Sequence, residues 1–140
     1  MYDTEQYDIV ARTIYGEARG EFTKNDGGLA SLMAVGNVIL NRTKSYRFGK
    51  TPRDVCLKPY QFSCWNENDP NKGLIQNITT QNSLFSLCLD VSKNILEEKW
   101  PDLTKGSDHY HTKAVYPYWS VKKRPLVMIG NHLFYKLGGI

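Results

Sequence analysis

The sequence predicts a mainly helical α+β fold with a small C-terminal β part, organised as a single domain over residues 1–140. Three observations carry that prediction. Apolar residues recur at helical spacing in three stretches of the first hundred residues. From Gly106 onward the texture changes to aromatic and β-branched residues punctuated by Gly and Pro, as in short strands. No internal repeat, low-complexity tract or linker separates the two regions, so helices and strands are expected to share one core.

The first helix is expected over residues 4–19, where Tyr7, Ala11, Ile14, Tyr15 and Ala18 recur at helical spacing, with Asp3 or Thr4 as cap and Gly20 as stop. Residues 26–41 repeat the pattern through Leu29, Leu32, Met33, Gly36, Ile39 and Leu40. Asp26 is the candidate cap, and Gly36 marks a close helix crossing. Thr51-Pro52, a capping residue followed by proline at the first helical position, opens a short helix over 53–57. The residues around Pro59, Pro70 and Gly73 read as a loop. A long helix follows over 80–100, with Leu84, Leu87, Cys88, Val91 and Ile95 on one stripe and Pro101 ending it. The segments HYHTKAVYPYW (109–119) and PLVMIGNHLFY (125–135) read as short strands.

Composition removes several classes. At 41% hydrophobic, 12% aromatic and 23% charged residues the chain is globular, which excludes disorder and collagen-like repeats. No apolar run approaches the roughly 18–20 residues that cross a bilayer, and the acidic start MYDTEQYD is unlike an export signal, so neither a membrane partner nor a signal peptide is expected. Cys56, Cys64 and Cys88 are odd in number with no C-x-x-C pair, so three reduced, packed thiols are expected. A net charge of +4, spread thinly, argues against nucleic acid and suits an extended anionic partner. Phosphate-cradling motifs are lacking, and no cofactor is expected.

Three clusters could carry chemistry. Glu17 falls three residues after Ile14 and seven after Val10, on a stripe continuous with apolar side chains. A carboxyl against apolar surface keeps its proton to higher pH, as a general acid for glycosidic cleavage must. From spacing alone, the favoured reading makes Glu17 and Glu21 solvated helix-end residues paired with Arg12, Arg19 or Lys24. The second cluster, Gln61, Phe62, Ser63 and Trp65, offers amide and aromatic groups suited to sugars, or a buried loop plug. The third is Asp108, His109, Tyr110 and His111 with Trp119 and His132. In an extended segment His109 and His111 share a face, which admits a metal reading, although no H-E-x-x-H is present. Cys64 or Ser63 as a nucleophile lacks any recognisable context.

Taken in order, ARTIYGEARGE (11–21), VGNVILNR (35–42), QFSCW (61–65), HYH (109–111) and IGNHLFY (129–135) resemble the SleB/CwlJ family of bacterial cell-wall hydrolases. The resemblance implies a lysozyme-like catalytic domain that cleaves peptidoglycan between N-acetylmuramic acid and N-acetylglucosamine. It implies a lytic transglycosylase, leaving 1,6-anhydro ends. By motif position Glu17 is the catalytic glutamate and Glu21 the second acidic position, while Ser107-Asp108 departs from the pattern. Gln61, Phe62, Ser63, Trp65, His109, Tyr110, His111 and Trp119 are the expected sugar-binding residues, with no metal, in a monomer whose partner is peptidoglycan. Two alternatives stand beside this: a metal-dependent peptidoglycan amidase using His109, His111 and His132, and a non-catalytic wall-binding module. Without an export signal, an endolysin-like life in a host cytoplasm before release to the wall is expected.

Overall fold

The computed structural model describes residues 2–24 and 27–138. Five helices and a three-stranded sheet form it: α1 (Thr4–Thr23), α2 (Leu29–Ser45), α3 (Pro52–Leu57), α4 (Asn71–Asn77), α5 (Ser83–Leu96), β1 (His109–Thr112), β2 (Val127–Ile129) and β3 (His132–Tyr135). Single 3₁₀ turns lie at Ser63–Trp65 and Tyr118–Ser120. The mainly helical α+β expectation holds.

α1 is the central element, packing against α2, α3, α4 and α5. Val10, Ala11, Ile14 and Ala18 are fully buried, each large apolar side chain removed from water contributing roughly 1.5–3 kcal/mol. Gly36 is where three helices meet: a Cβ there would sit 3.4 Å from both Ile14 of α1 and Ile95 of α5. Asp3 caps α1 by accepting from the Gln6 N–H at 3.1 Å. Gly20 does not stop it. The helix continues to Thr23, and its extra turn is tethered when Glu21 accepts a hydrogen bond from the Asn131 N–H at 2.7 Å.

The other helices also depart from their expected bounds for identifiable reasons. The Asp26 cap lies outside the described residues. α2 runs past Asn41 to Ser45 because Arg42 and Thr43 are buried, Arg42 Nε donating to the Asp108 carbonyl at 2.7 Å and Thr43 to the Ile39 carbonyl at 2.9 Å. Tyr46, at φ 61°, closes α2 in the left-handed region. Thr51 caps α3 through the Asp54 N–H. α5 starts at Ser83, capped by Asn82, and ends before Pro101 because Glu98 takes φ 58°. Its buried stripe centres on Phe85, Cys88, Val91 and Ile95, leaving Leu84 and Leu87 half-buried.

The expected loop around Gly73 contains α4, too short to show a period. Arg12 of α1 holds it from outside, donating to the carbonyls of Ile75 at 2.7 Å and Ile78 at 2.9 Å, a cation at a helix C-terminus. Cys56, Cys64 and Cys88 are free and buried. No helix among the described residues is long and apolar enough to cross a membrane.

The sheet has the order β1-β3-β2, antiparallel throughout. Tyr110 pairs with Phe134 and His111 with Leu133, while Gly130-Asn131 forms the two-residue turn of the β2–β3 hairpin, Gly130 at φ 58°. Alternation puts Tyr110, His132 and Phe134 on one face, and Phe134 packs there with Ala34 and Val38 of α2. His109, His111 and Tyr135 lie on the other face. The segment beyond β1, expected as strand, instead folds back through Tyr118–Ser120 and covers that face with Trp119.

Candidate active site

The Ser63–Trp65 turn can approach α1 closely because residue 16 is glycine: a Cβ there would lie 2.8 Å from both Cys64 Cβ and Sγ. Docked so, the turn points its Cys64 N–H at Glu17 Oε2, 3.4 Å away. One helical turn earlier, Trp65 Nε1 donates to Thr13 Oγ1 at 2.8 Å. From the opposite direction β1 delivers Tyr110, whose hydroxyl donates to Glu17 Oε1 at 2.7 Å. Glu17 is half-buried, held at both oxygens, where three otherwise separate parts of the chain meet.

The surroundings decide which groups can ionise. The Tyr110 hydroxyl is enclosed, although the residue as a whole is only half-buried, and burial followed by the Glu17 charge pushes it well above the ordinary tyrosine range. It therefore stays a donor at any working pH. Burial, and then Glu17, also push the Cys64 thiol upward, so it carries no thiolate near neutrality. That removes Cys64 as a nucleophile. Behind Tyr110, Arg42 is 6% exposed, with its guanidinium over the rings of Phe48 and Phe62 and its Nη1 unpartnered. Burial lowers its pKa, offset in part by the nearby carboxylates of Asp108 and Glu17.

Glu21 and Asp108 have other employment. Glu21 Oε1 accepts from the Asn131 N–H and lies 3.7 Å from His132 Nδ1, so its carboxylate fastens the β2–β3 turn to α1. His132 is held below its ordinary value, chiefly by burial, against the raising effect of Glu21. Asp108 Oδ1 meets His109 Nδ1 at 2.8 Å and the Leu137 N–H at 2.9 Å, and Oδ2 accepts from the Gly138 N–H at 2.9 Å. Burial raises the Asp108 pKa, but these bonds outweigh it and the net direction is down.

Of the residues expected to bind sugar, the structure gathers some around Glu17 and not others. Gln61 and Trp65 are half-buried and Ser63 exposed, all on or beside the docked turn. Phe62 is a correction: at 2% exposure it is a core ring beneath Arg42 and faces no groove. His109 and His111 are also corrected, being buried among Phe48, Trp119, Tyr116 and Tyr135. Trp119 belongs to that same box, with its ring 4.9 Å from His109 and 5.4 Å from Tyr135, on the sheet face turned away from Tyr110. The metal alternative fails on the same alternation: His132 lies on the face opposite His109 and His111. Among the described residues no group of three His, Cys, Asp or Glu could hold a metal. Sequence reasoning did not single out Thr13, Gly16 or Arg42 for the site; the proximity of Gly16 to Glu17 was the one available signal.

A family profile described as Cell Wall Hydrolase matches residues 28–135. Among solved structures, the catalytic domain of the Bacillus cereus SleB protein is similar at 26% identity and TM-score 0.72, over 97% of this chain and 93% of that one. The catalytic domain of the germination-specific lytic transglycosylase SleB from Bacillus anthracis is similar at 26% identity and TM-score 0.71, over 96% and 97%. A comparison with curated proteins yields no match. The profile begins after Glu17, whereas the structural similarity extends over nearly the whole chain.

Proposed function

This chain belongs to the cell wall hydrolase family and degrades peptidoglycan, and on that premise we propose that it cuts the glycan strand as a lytic transglycosylase with Glu17 as both acid and base. Family membership sets aside the non-catalytic wall-binding alternative. The observation that carries the finer reading is the contrast among three carboxyls. Glu17 is oriented by the Tyr110 side-chain hydroxyl at 2.7 Å and has only a long 3.4 Å contact, from the Cys64 N–H, at its second oxygen, whereas Glu21 accepts the Asn131 N–H at 2.7 Å and Asp108 accepts the Leu137 and Gly138 N–H groups at 2.9 Å, bonds that fasten other parts of the chain.

Tyr110 occupies Glu17 Oε1 at 2.7 Å, and the Cys64 N–H is a long 3.4 Å from Oε2, so Oε2 is the oxygen free to carry a proton. In the first step Oε2–H protonates the glycosidic oxygen as the bond from C1 of N-acetylmuramic acid breaks. The Tyr110 hydroxyl, which stays protonated, stabilises the carboxylate so formed. In the second step the sugar's own 6-hydroxyl closes on C1, and its proton returns to Glu17. No water is consumed, and because the nucleophile is already tethered, no second carboxylate is required at a hydrolase's separation. The engagement of Glu21 and Asp108 elsewhere supports this single-acid reading.

Digestion of purified peptidoglycan in ¹⁸O-labelled water, followed by mass spectrometry, tests it. Anhydromuramyl ends without label are expected. Labelled reducing ends would make the enzyme a hydrolase, and freed stem peptides with intact strands would make it an amidase.

A further inference from the structure

Beside Trp65, and without Glu17 in its lining, the protein has a concavity of about 580 Å³. Ile9 of α1 and Leu57 of α3 give it apolar lining, and Asn66, Asn68 and Gln76 add amides. Its most unusual residue is Tyr60. This bulky side chain sits on a backbone at φ 65°, a left-handed conformation that tyrosine rarely adopts, and the residue is 86% exposed. Strain that presents a ring to solvent at the mouth of a cavity points toward a ligand. Trp65 is the other aromatic of the lining, and its bond to Thr13 Oγ1 fixes the indole between cavity and carboxyl.

We propose that this concavity is a remote glycan subsite, holding the uncleaved part of the strand with sugar faces on Tyr60 and Trp65 and acetamido and hydroxyl groups on the three amides. The inference rests on the reading that Glu17 cuts the glycan. Proximity supports it: Ile9 in the lining and Glu17 are two four-residue steps apart on α1, roughly 12 Å along its axis, a span of a few sugar rings. Paired aromatic and amide groups suit amino sugars. A stem peptide fits less well, because Lys72, the cation of the lining, is already paired with Glu67 and leaves no spare positive charge for peptide carboxylates.

The test compares Glu17→Gln with Glu17→Gln/Tyr60→Gly. Glycine readily adopts the local backbone conformation, so only the ring is lost. Amidase-stripped glycan strands are the probe, with binding read by calorimetry. About tenfold weaker binding is expected for the double variant, the scale of one aromatic contact, with no loss of thermal midpoint. In the active enzyme, Tyr60→Gly is expected to raise KM about tenfold on long strands, to leave kcat unchanged, and to spare the shortest cleavable oligosaccharide. Unchanged binding would overturn the proposal, as would an equal loss on short and long substrates. A loss confined to peptide-bearing wall would assign the cavity to the stem peptide and overturn it equally. If Tyr60→Gly unfolds the protein, Gln76→Ala on α4 provides the same comparison. Continued cutting by Glu17→Gln would refute the functional reading, while the binding difference would still decide the subsite.

Discussion

Replacing Tyr110 by Phe removes one hydroxyl and little else, because the ring keeps its contacts with His132 at 4.9 Å and Phe134 at 5.4 Å between centroids. The lost interaction is the 2.7 Å bond to Glu17 Oε1, a hydrogen bond to a group that becomes charged when it releases its proton. Bonds of that kind are worth about 1.5–3 kcal/mol. If the bond is at full strength when the glycosidic link breaks, kcat falls by about ten- to a hundredfold. KM should hardly move, since Tyr110 orients the acid and does not enlarge the binding surface. The thermal midpoint should stay within a few degrees. The assay is release of soluble, labelled fragments from purified peptidoglycan over a range of substrate concentrations, beside a melting curve. A folded Tyr110→Phe protein turning over within twofold of the parent would refute the reasoning. A fall in activity matched by unfolding would assign Tyr110 to the core instead.

Other expectations follow from single contacts. Glu21→Gln keeps an acceptor for the Asn131 N–H and should cost only a few-fold in rate, whereas Glu21→Ala frees the hairpin turn and should cost about 1–3 kcal/mol of stability in denaturant unfolding. The two glycines of α1 should behave oppositely. Gly16→Ala drives a methyl to 2.8 Å from Cys64 and should destabilise by about 1–3 kcal/mol with a large loss of activity, while Gly20→Ala meets nothing within 4 Å and should stabilise by roughly 0.5–1 kcal/mol. His132, 5% exposed and held below its ordinary value of 6.5 chiefly by burial, is neutral in the fold, so the unfolded chain takes up its proton first on acidification. Stability should therefore decline as pH falls from about 6.5, and His132→Asn should remove that component from a series of melting curves. A slope below pH 6.5 identical in parent and variant would contradict it.

The parts of this protein legible in its sequence are those where local pattern and tertiary packing agree. α1, α2 and α5 were readable because Ile14, Ile39 and Val91 belong to periodic stripes that end up buried. Their ends were not, because partners far along the chain set them: Arg42 extends α2 by bonding the Asp108 carbonyl, and Glu21 carries α1 past Gly20 by bonding Asn131. α4 had no period to read, and its stability comes from Arg12 of another helix. At the site, apolar spacing placed Glu17 beside the core and the family resemblance singled it out, but its partner Tyr110 lies 93 residues away, a distance bridged only by strand register. Phe62, His109 and His111 sit in irregular or aromatic-rich text that resembles a binding surface. Burial beneath Arg42 and Trp119 follows from folding, and no neighbour in sequence signals it.

The central claim is that Glu17 alone moves the proton. Glu17→Gln preserves shape and can still accept the Tyr110 hydrogen bond, yet its amide cannot deliver a proton, and positioned acid–base catalysis is worth about 10²–10⁴ in rate. The decisive measurement is the initial rate at which folded Glu17→Gln protein forms anhydromuramyl ends on purified peptidoglycan, beside the parent and Glu21→Gln. A loss of at least about a hundredfold at Glu17, with Glu21→Gln far less affected, is the predicted result. Near-parent turnover by the folded Glu17→Gln protein, or a larger loss at Glu21 than at Glu17, would contradict it.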